Sequence, residues 1–181
     1  MSEYADKFVA RALEQVPLVR ADVLREWSAR GRSKDIPELV EACERELLLR
    51  GLAEETPEVL AIYEDWAKMT EGRDLEETIF IAFGEAPPNQ IDEVEAIRIL
   101  HATPGIGLAE AEAQYEKGHF QVVMAHFVHI RRAFFRAFLP AKGGTKDRLM
   151  DVLILREKRG DGLHYTLRPE TLSAWARLGV V

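Results

Sequence analysis

Apolar residues recur along this chain mostly three or four positions apart, the helical period, and that spacing defines a series of short helices. Residues 4–15 place Phe8, Val9, Ala12 and Leu13 on one stripe, and Pro17 ends or restarts the element. A second helix is predicted from Arg20 to Ala29, closed by Gly31. Ser33 or Asp35 is positioned to cap a third, which begins at Pro37 and runs to about Arg50 with Gly51 as its stop. This third helix carries Leu39, Val40, Cys43, Leu47 and Leu48 on one side and Glu38, Glu41, Glu44 and Arg45 mostly on the other, the pattern of an amphipathic core helix. Thr56-Pro57-Glu58 opens a fourth, with Val59, Leu60, Ile62, Tyr63 and Trp66 as its apolar face, before Gly72 interrupts. The run from Leu75 to Gly84 suits a strand by its β-branched and aromatic content and a helix by its acidic start; helix is favoured.

Adjacent prolines in Glu85-Ala86-Pro87-Pro88-Asn89-Gln90 exclude helix and favour extended backbone, which makes this segment the expected boundary between an acidic helical region, 1–86, and a second region, 91–181. The second region is predicted to contain a helix over Ile91–Thr103, the turn Pro104-Gly105-Ile106-Gly107, a short helix Leu108–Glu116 and a break at Gly118. A long helix follows from about Phe120 to Leu139, lined by Phe120, Phe127, Phe134, Phe135 and Phe138. Leu149–Leu155 and Leu163–Leu167 flank a charged turn with two glycines, as in a β-hairpin, and Pro169-Glu170 starts a closing helix with Leu172, Trp175 and Leu178. The expected fold class is mainly α, a multi-helix bundle with one C-terminal β-hairpin.

Charge changes this picture. Residues 131–181 hold eleven Lys/Arg against five Asp/Glu, a formal +6 in a chain whose total is -7, so residues 1–130 carry -13. An acidic helical body thus precedes a basic tail, and such asymmetry points to an interaction surface. With 181 residues and 47% hydrophobic content, the chain is able to bury a core without staples. The single cysteine, Cys43, cannot form an intrachain disulfide, which suits a reducing cytoplasm. Met1-Ser2-Glu3-Tyr4-Ala5-Asp6 lacks a basic leader followed by an apolar stretch, and no window approaches the ~20 apolar residues of a membrane span. Neither secretion nor a membrane partner is expected.

The segment from Ala96 to Glu112, centred on Thr103-Pro104-Gly105-Ile106-Gly107-Leu108, resembles a helix–turn–helix of two translation-associated families. One is the C-terminal domain of the ribosomal stalk protein; the other is the ubiquitin-associated-like (UBA-like) module of elongation factor Ts, which the break at Gly118 and the helix after it fit better. Glycines at 105 and 107 can take positive φ and let two helices meet steeply, with Ile106 plugging the gap. Where the stalk family places lysines after the turn, this chain has Glu110 and Glu112, so a different charge preference is implied. The same turn also resembles a helix-hairpin-helix, but those acidic residues oppose phosphate approach. Further on, His164-Tyr165-Thr166-Leu167-Arg168-Pro169-Glu170 resembles the second wing strand of winged-helix regulators, and the resemblance places Arg156, Lys158 and Arg159 at the wing tip.

Candidate chemistry is sparse. His119, His126 and His129 fall within an arc of about 80° on one helix at about 100° per residue, and Glu116 adds the Glu-x-x-His spacing of di-iron bundles. Against metal binding, no second Glu-x-x-His exists, and His119 and His126 stand about 10.5 Å apart along a helix axis. Satisfied or interfacial histidines are the simpler reading. Glu41, Glu44 and Glu46 around Cys43 oppose thiolate formation, and no phosphate-cradling loop has the required spacing. No catalytic residue and no cofactor is expected.

The sequence therefore points away from an enzyme and toward a cytoplasmic, non-catalytic adaptor or regulator that binds another protein through its C-terminal half, with Ile106, Leu108, Phe120 and Phe127 as contacts. The alternative is a nucleic-acid-binding transcription regulator using Lys146, Arg156, Lys158 and Arg159 on phosphates. A metal-dependent enzyme built on Glu116, His119, His126 and His129 comes a distant third. A homo-oligomer is compatible with all three.

Overall fold

The structure, a computed structural model, describes residues 3–88, 93–115, 120–139 and 146–181. Its described part is mainly α, with a small antiparallel sheet formed largely by the C-terminal hairpin. The chain divides into two compact units, Met1–Asp65 and Trp66–Val181.

The first unit contains α1 (Glu3–Gln15), a 3-10 turn at Val16–Leu18, α2 (Ala21–Lys34), α3 (Pro37–Leu49) and the start of α4 (Pro57–Met69). Ala12, Leu39, Cys43 and Leu47, which the helical spacing places on apolar stripes, form its buried cluster together with Val16 and Leu24. Two boundaries differ from expectation. Gly31 does not close α2 but lies buried within it, because a Cβ there would stand 2.8 Å from Val40 Cγ2 on α3. The helix ends instead at Asp35, which takes the left-handed conformation (φ 55), while Ile36 occupies the N-cap of α3 without a side-chain cap.

Glu44 also departs from its expected exposed side. It is buried, accepts from Ser28 Oγ at 2.6 Å and pairs with Arg32 Nη2 at 2.7 Å, so the cost of desolvating its carboxylate is offset. Arg32 reaches Glu58 as well, at 3.1 Å. That hydrogen bond, followed by one to the backbone, holds the Glu58 carboxyl down at about 2.

The second unit comprises α5 (Leu75–Glu85), α6 (Glu93–Ala102), β1 (Ile106–Gly107), α7 (Leu108–Gln114), α8 (Phe120–Ile130), a 3-10 helix at Lys146–Val152, β2 (Ile154–Arg159), β3 (Gly162–Leu167) and α9 (Pro169–Leu178). Asp74 caps α5 by accepting from Glu77 N–H at 2.9 Å, which accounts for the helix where composition left a choice. The proline pair lies inside this unit, between α5 and α6. α5 packs on α9, with Phe83 edge-on to Trp175 at 5.2 Å, and Trp66 stacks on Phe134 at 4.5 Å.

The aromatic helix is shorter than predicted. α8 stops at Ile130, and residues 131–138 continue as tighter turns, with hydrogen bonds such as Phe134 N–H to Arg131 O and Phe138 N–H to Phe135 O. Ile130, Arg131, Ala133, Phe134 and Phe135 are all buried, a run too wide for the single stripe of a straight α-helix. The first hairpin strand likewise begins later than predicted, since Leu149–Val152 wind as 3-10 helix. Among the described residues no helix is long and apolar enough to cross a membrane.

Candidate functional site

The hairpin turns on two residues, Gly160 and Asp161, because Arg159 pairs directly with Gly162, whose φ of 136 suits glycine. β3 is central in the order β1-β3-β2, so β2 lies at one edge of the sheet. The strand period then sorts the side chains. Ile154, Arg156 and Lys158 share a face with Leu167, Tyr165 and Leu163, while Leu155, Glu157 and Arg159 point the other way. On the first face Ile154, Tyr165 and Leu167 enter the core, leaving Arg156, Lys158 and Leu163 toward the distal end.

A groove of about 530 Å3 lies there, bordered by Arg156, Lys158, Leu163, Asp151 and Arg168, with Ile154 beneath and Leu155 at its rim. Asp151 holds Arg156 through both carboxylate oxygens, at 2.6 and 3.0 Å, and its backbone carbonyl accepts from Arg168 Nε at 2.6 Å. Thr171 Oγ1 to Leu153 O at 2.8 Å fixes the start of α9 to the same corner. Three cations thus surround one carboxylate, and Lys158 has no carboxylate partner among the described residues.

On the other side of the sheet, Gly105 has φ 78 and donates its N–H to Tyr165 O at 2.9 Å, and the adjacent Ile106 is buried, as the turn implies, whereas Gly107 is extended at φ -71 and serves as the N-cap of α7. His164 ties this turn to the hairpin: Nδ1 is 2.8 Å from Gly105 O and Nε2 is 2.9 Å from Asp161 Oδ1. The carbonyl of Gly105 and then the Asp161 carboxylate raise the His164 pKa above its ordinary 6.5, and the imidazole in turn lowers that of Asp161. No feature of the sequence pattern signalled this clamp, because its three residues are brought together only by strand register.

Ile106, Phe120 and Phe127, expected as partner contacts, are buried in the second unit's core; only Leu108 is partly exposed. Their apolar character serves packing, as in the Phe120–Tyr165 and Phe83–Phe127 ring contacts. Among the described residues the cations of the basic tail do not gather in one area either. Arg131 is 1% exposed and pairs with Glu93 at 2.9 Å, Arg159 pairs with Glu157, and Arg177 pairs with Glu76 and Glu77. Glu93, Glu76 and Glu77, from outside the tail, thus compensate Arg131 and Arg177, while Arg159 meets a carboxylate of the tail itself.

Arg131 also donates to Ala86 O at 2.7 Å and to Phe127 O at 3.0 Å, and its guanidinium lies 4.2 Å from the Phe83 ring centre. Burial lowers its pKa, with Glu93 opposing the shift. His126, partly exposed, approaches Glu93 Oε1 at 3.8 Å, and His129 is exposed on α8. Glu116 and His119 lie outside the described residues, as does the side chain of Lys146. Among the described residues no three His, Cys, Asp or Glu side chains converge on a position for a metal ion. The Cys43 thiol is pushed up to about 11, first by burial and then by Glu44, which makes it a poor nucleophile.

Compared with known proteins, the chain matches no family model, no curated protein and no solved structure. The UBA-like and winged-helix resemblances rest on the residues quoted for them alone.

Proposed function

We propose that the protein is a non-catalytic adaptor or regulatory protein of the cytoplasm that binds another protein through its C-terminal half, with the groove beside β2 as the contact. The observation that carries this reading is the combination of an edge strand, a cavity of about 530 Å3 against it and an exposed cation, Lys158, at its border. The buried thiol of Cys43 fits a reducing compartment.

The test is capture of a partner on the intact protein, identification, and titration of the purified pair. Lys158→Glu should weaken binding about tenfold, equivalent to about 1.4 kcal/mol, whereas Leu60→Ser, at an exposed position in the first unit, should leave it unchanged. Binding insensitive to Lys158→Glu would exclude the groove.

Phosphate binding is the second reading, favoured by Arg156, Lys158 and Arg159 lying on one six-residue strand. Strand alternation turns Arg159 to the opposite face from the other two, and carboxylates already hold both arginines. Affinity for duplex DNA or RNA that falls steeply with salt and with charge reversal at Arg156 and Arg159 would favour this reading over the first.

A further inference from the structure

The hairpin's free edge restricts what kind of protein segment fits it. β2 spans six residues, about 20 Å of extended chain at ~3.3 Å per residue, and among the described residues no strand pairs with its outer side. An unpaired edge presents a row of backbone N–H and C=O groups that another extended segment can complete. The groove lies against this edge, reaching from Arg156 and Lys158 on one face to Leu155 on the other.

We infer that the groove takes an extended, acidic segment of a partner protein, added as a fourth strand beside β2, with carboxylates and apolar side chains at alternate positions. This inference rests on the adaptor reading above and names the chemistry of the partner. Side chains of neighbouring strands pair across the ladder on the same face. Residues of the added strand on the face of Arg156 and Lys158 therefore meet two cations, and Arg168 adds a third at the groove wall. Asp151 is engaged by Arg156, so two positive charges at the groove stay uncompensated. On the opposite face the added strand meets Leu155, which is 44% exposed, and an apolar residue there removes that surface from water.

The same charges argue against a second copy of this chain as the occupant. Two β2 edges laid antiparallel about Glu157 would set Arg156 of one copy opposite Lys158 of the other on the same face, and like charges in opposed positions repel. The groove thus accepts a complementary strand and resists an identical one.

The probe is an acetylated heptapeptide alternating valine and glutamate, titrated into the full-length protein and followed by backbone NMR and amide exchange. Its lysine-for-glutamate analogue serves as control. Saturable shifts in Ile154–Arg159, with exchange slowed at alternate β2 amides, are expected. Affinity should fall at least fivefold for Lys158→Glu and with added salt, and the lysine analogue should not bind. Shifts confined to other elements, equal binding of the lysine analogue, or uniform rather than alternating protection would overturn the inference. So would silence of the acidic peptide while an identified partner still depends on Lys158; in that case the adaptor reading stands and only the acidic strand fails. Insensitivity of that identified partner to Lys158→Glu removes both.

Discussion

His164 has an oxygen acceptor facing each ring nitrogen, the carbonyl of Gly105 and the carboxylate of Asp161, so only the doubly protonated ring satisfies both. Its pKa is raised in the folded protein, and its stabilisation is therefore fully present below the unfolded value of 6.5 and lost as pH rises through the folded value. Asp161, lowered from 3.8, contributes above that value and loses its contribution as pH falls through the folded one. The stability difference between the wild type and His164→Gln should be largest between these limits and shrink toward alkaline pH in urea titrations. Asp161→Asn should move the imidazole NMR titration midpoint downward; an unmoved midpoint would contradict the clamp. Arg131 works differently, as an interior cation whose partners are Glu93, Ala86 O and Phe127 O. Arg131→Ala should cost about 3–5 kcal/mol in denaturant unfolding by stranding the buried Glu93 carboxylate, and adding Glu93→Leu should restore much of the loss. The sequence placed Arg131 in a basic tail because formal charge is local, whereas its burial depends on residues as distant as Ala86 and Glu93.

Elements are legible in the sequence where period and punctuation agree. α3 starts at Pro37, buries Leu39, Val40, Cys43, Leu47 and Leu48, and gives way to Gly51 at φ 69, all legible from spacing and stop signals. Gly31 was misleading because a glycine in a helix has two uses, ending the helix or admitting a neighbour, and only the packing of α2 on α3 selects the second. Gly31→Ala should therefore destabilise. Relief of the 2.8 Å approach to Val40 costs about 1–3 kcal/mol, more than the gain in helix propensity of about 1 kcal/mol. Thermal melts should show a lower midpoint for Gly31→Ala and recovery in combination with Val40→Ala. β1 is not legible in the sequence because two residues carry no period; it exists through its pairing with Tyr165 and His164 on β3. The hairpin itself is legible from Gly160 and Gly162, but the apolar run puts its first strand too early, where Leu149–Val152 form 3-10 helix.

At the scale of the whole molecule, the division into Met1–Asp65 and Trp66–Val181 falls within α4, at a point that no proline, glycine or composition shift marks. A helix continuous in sequence contributes to one unit through its first turns and to the other through Trp66, which stacks on Phe134. The charge split between the two ends of the chain is a property of the sequence, yet Glu93, Glu76 and Glu77 pair with Arg131 and Arg177 across that split, and Asp151 and Glu157 hold Arg156 and Arg159 within the C-terminal part. What the sequence determined by itself was the mainly helical class with its C-terminal hairpin, because helical and strand periods and turn residues act over a few positions. Only the tertiary structure decided which charges remain available, that Ile106, Phe120 and Phe127 belong to the core, and that a groove lies beside β2. Burial, ion pairing and edge position are relations between residues far apart in the chain, and a local pattern does not contain them.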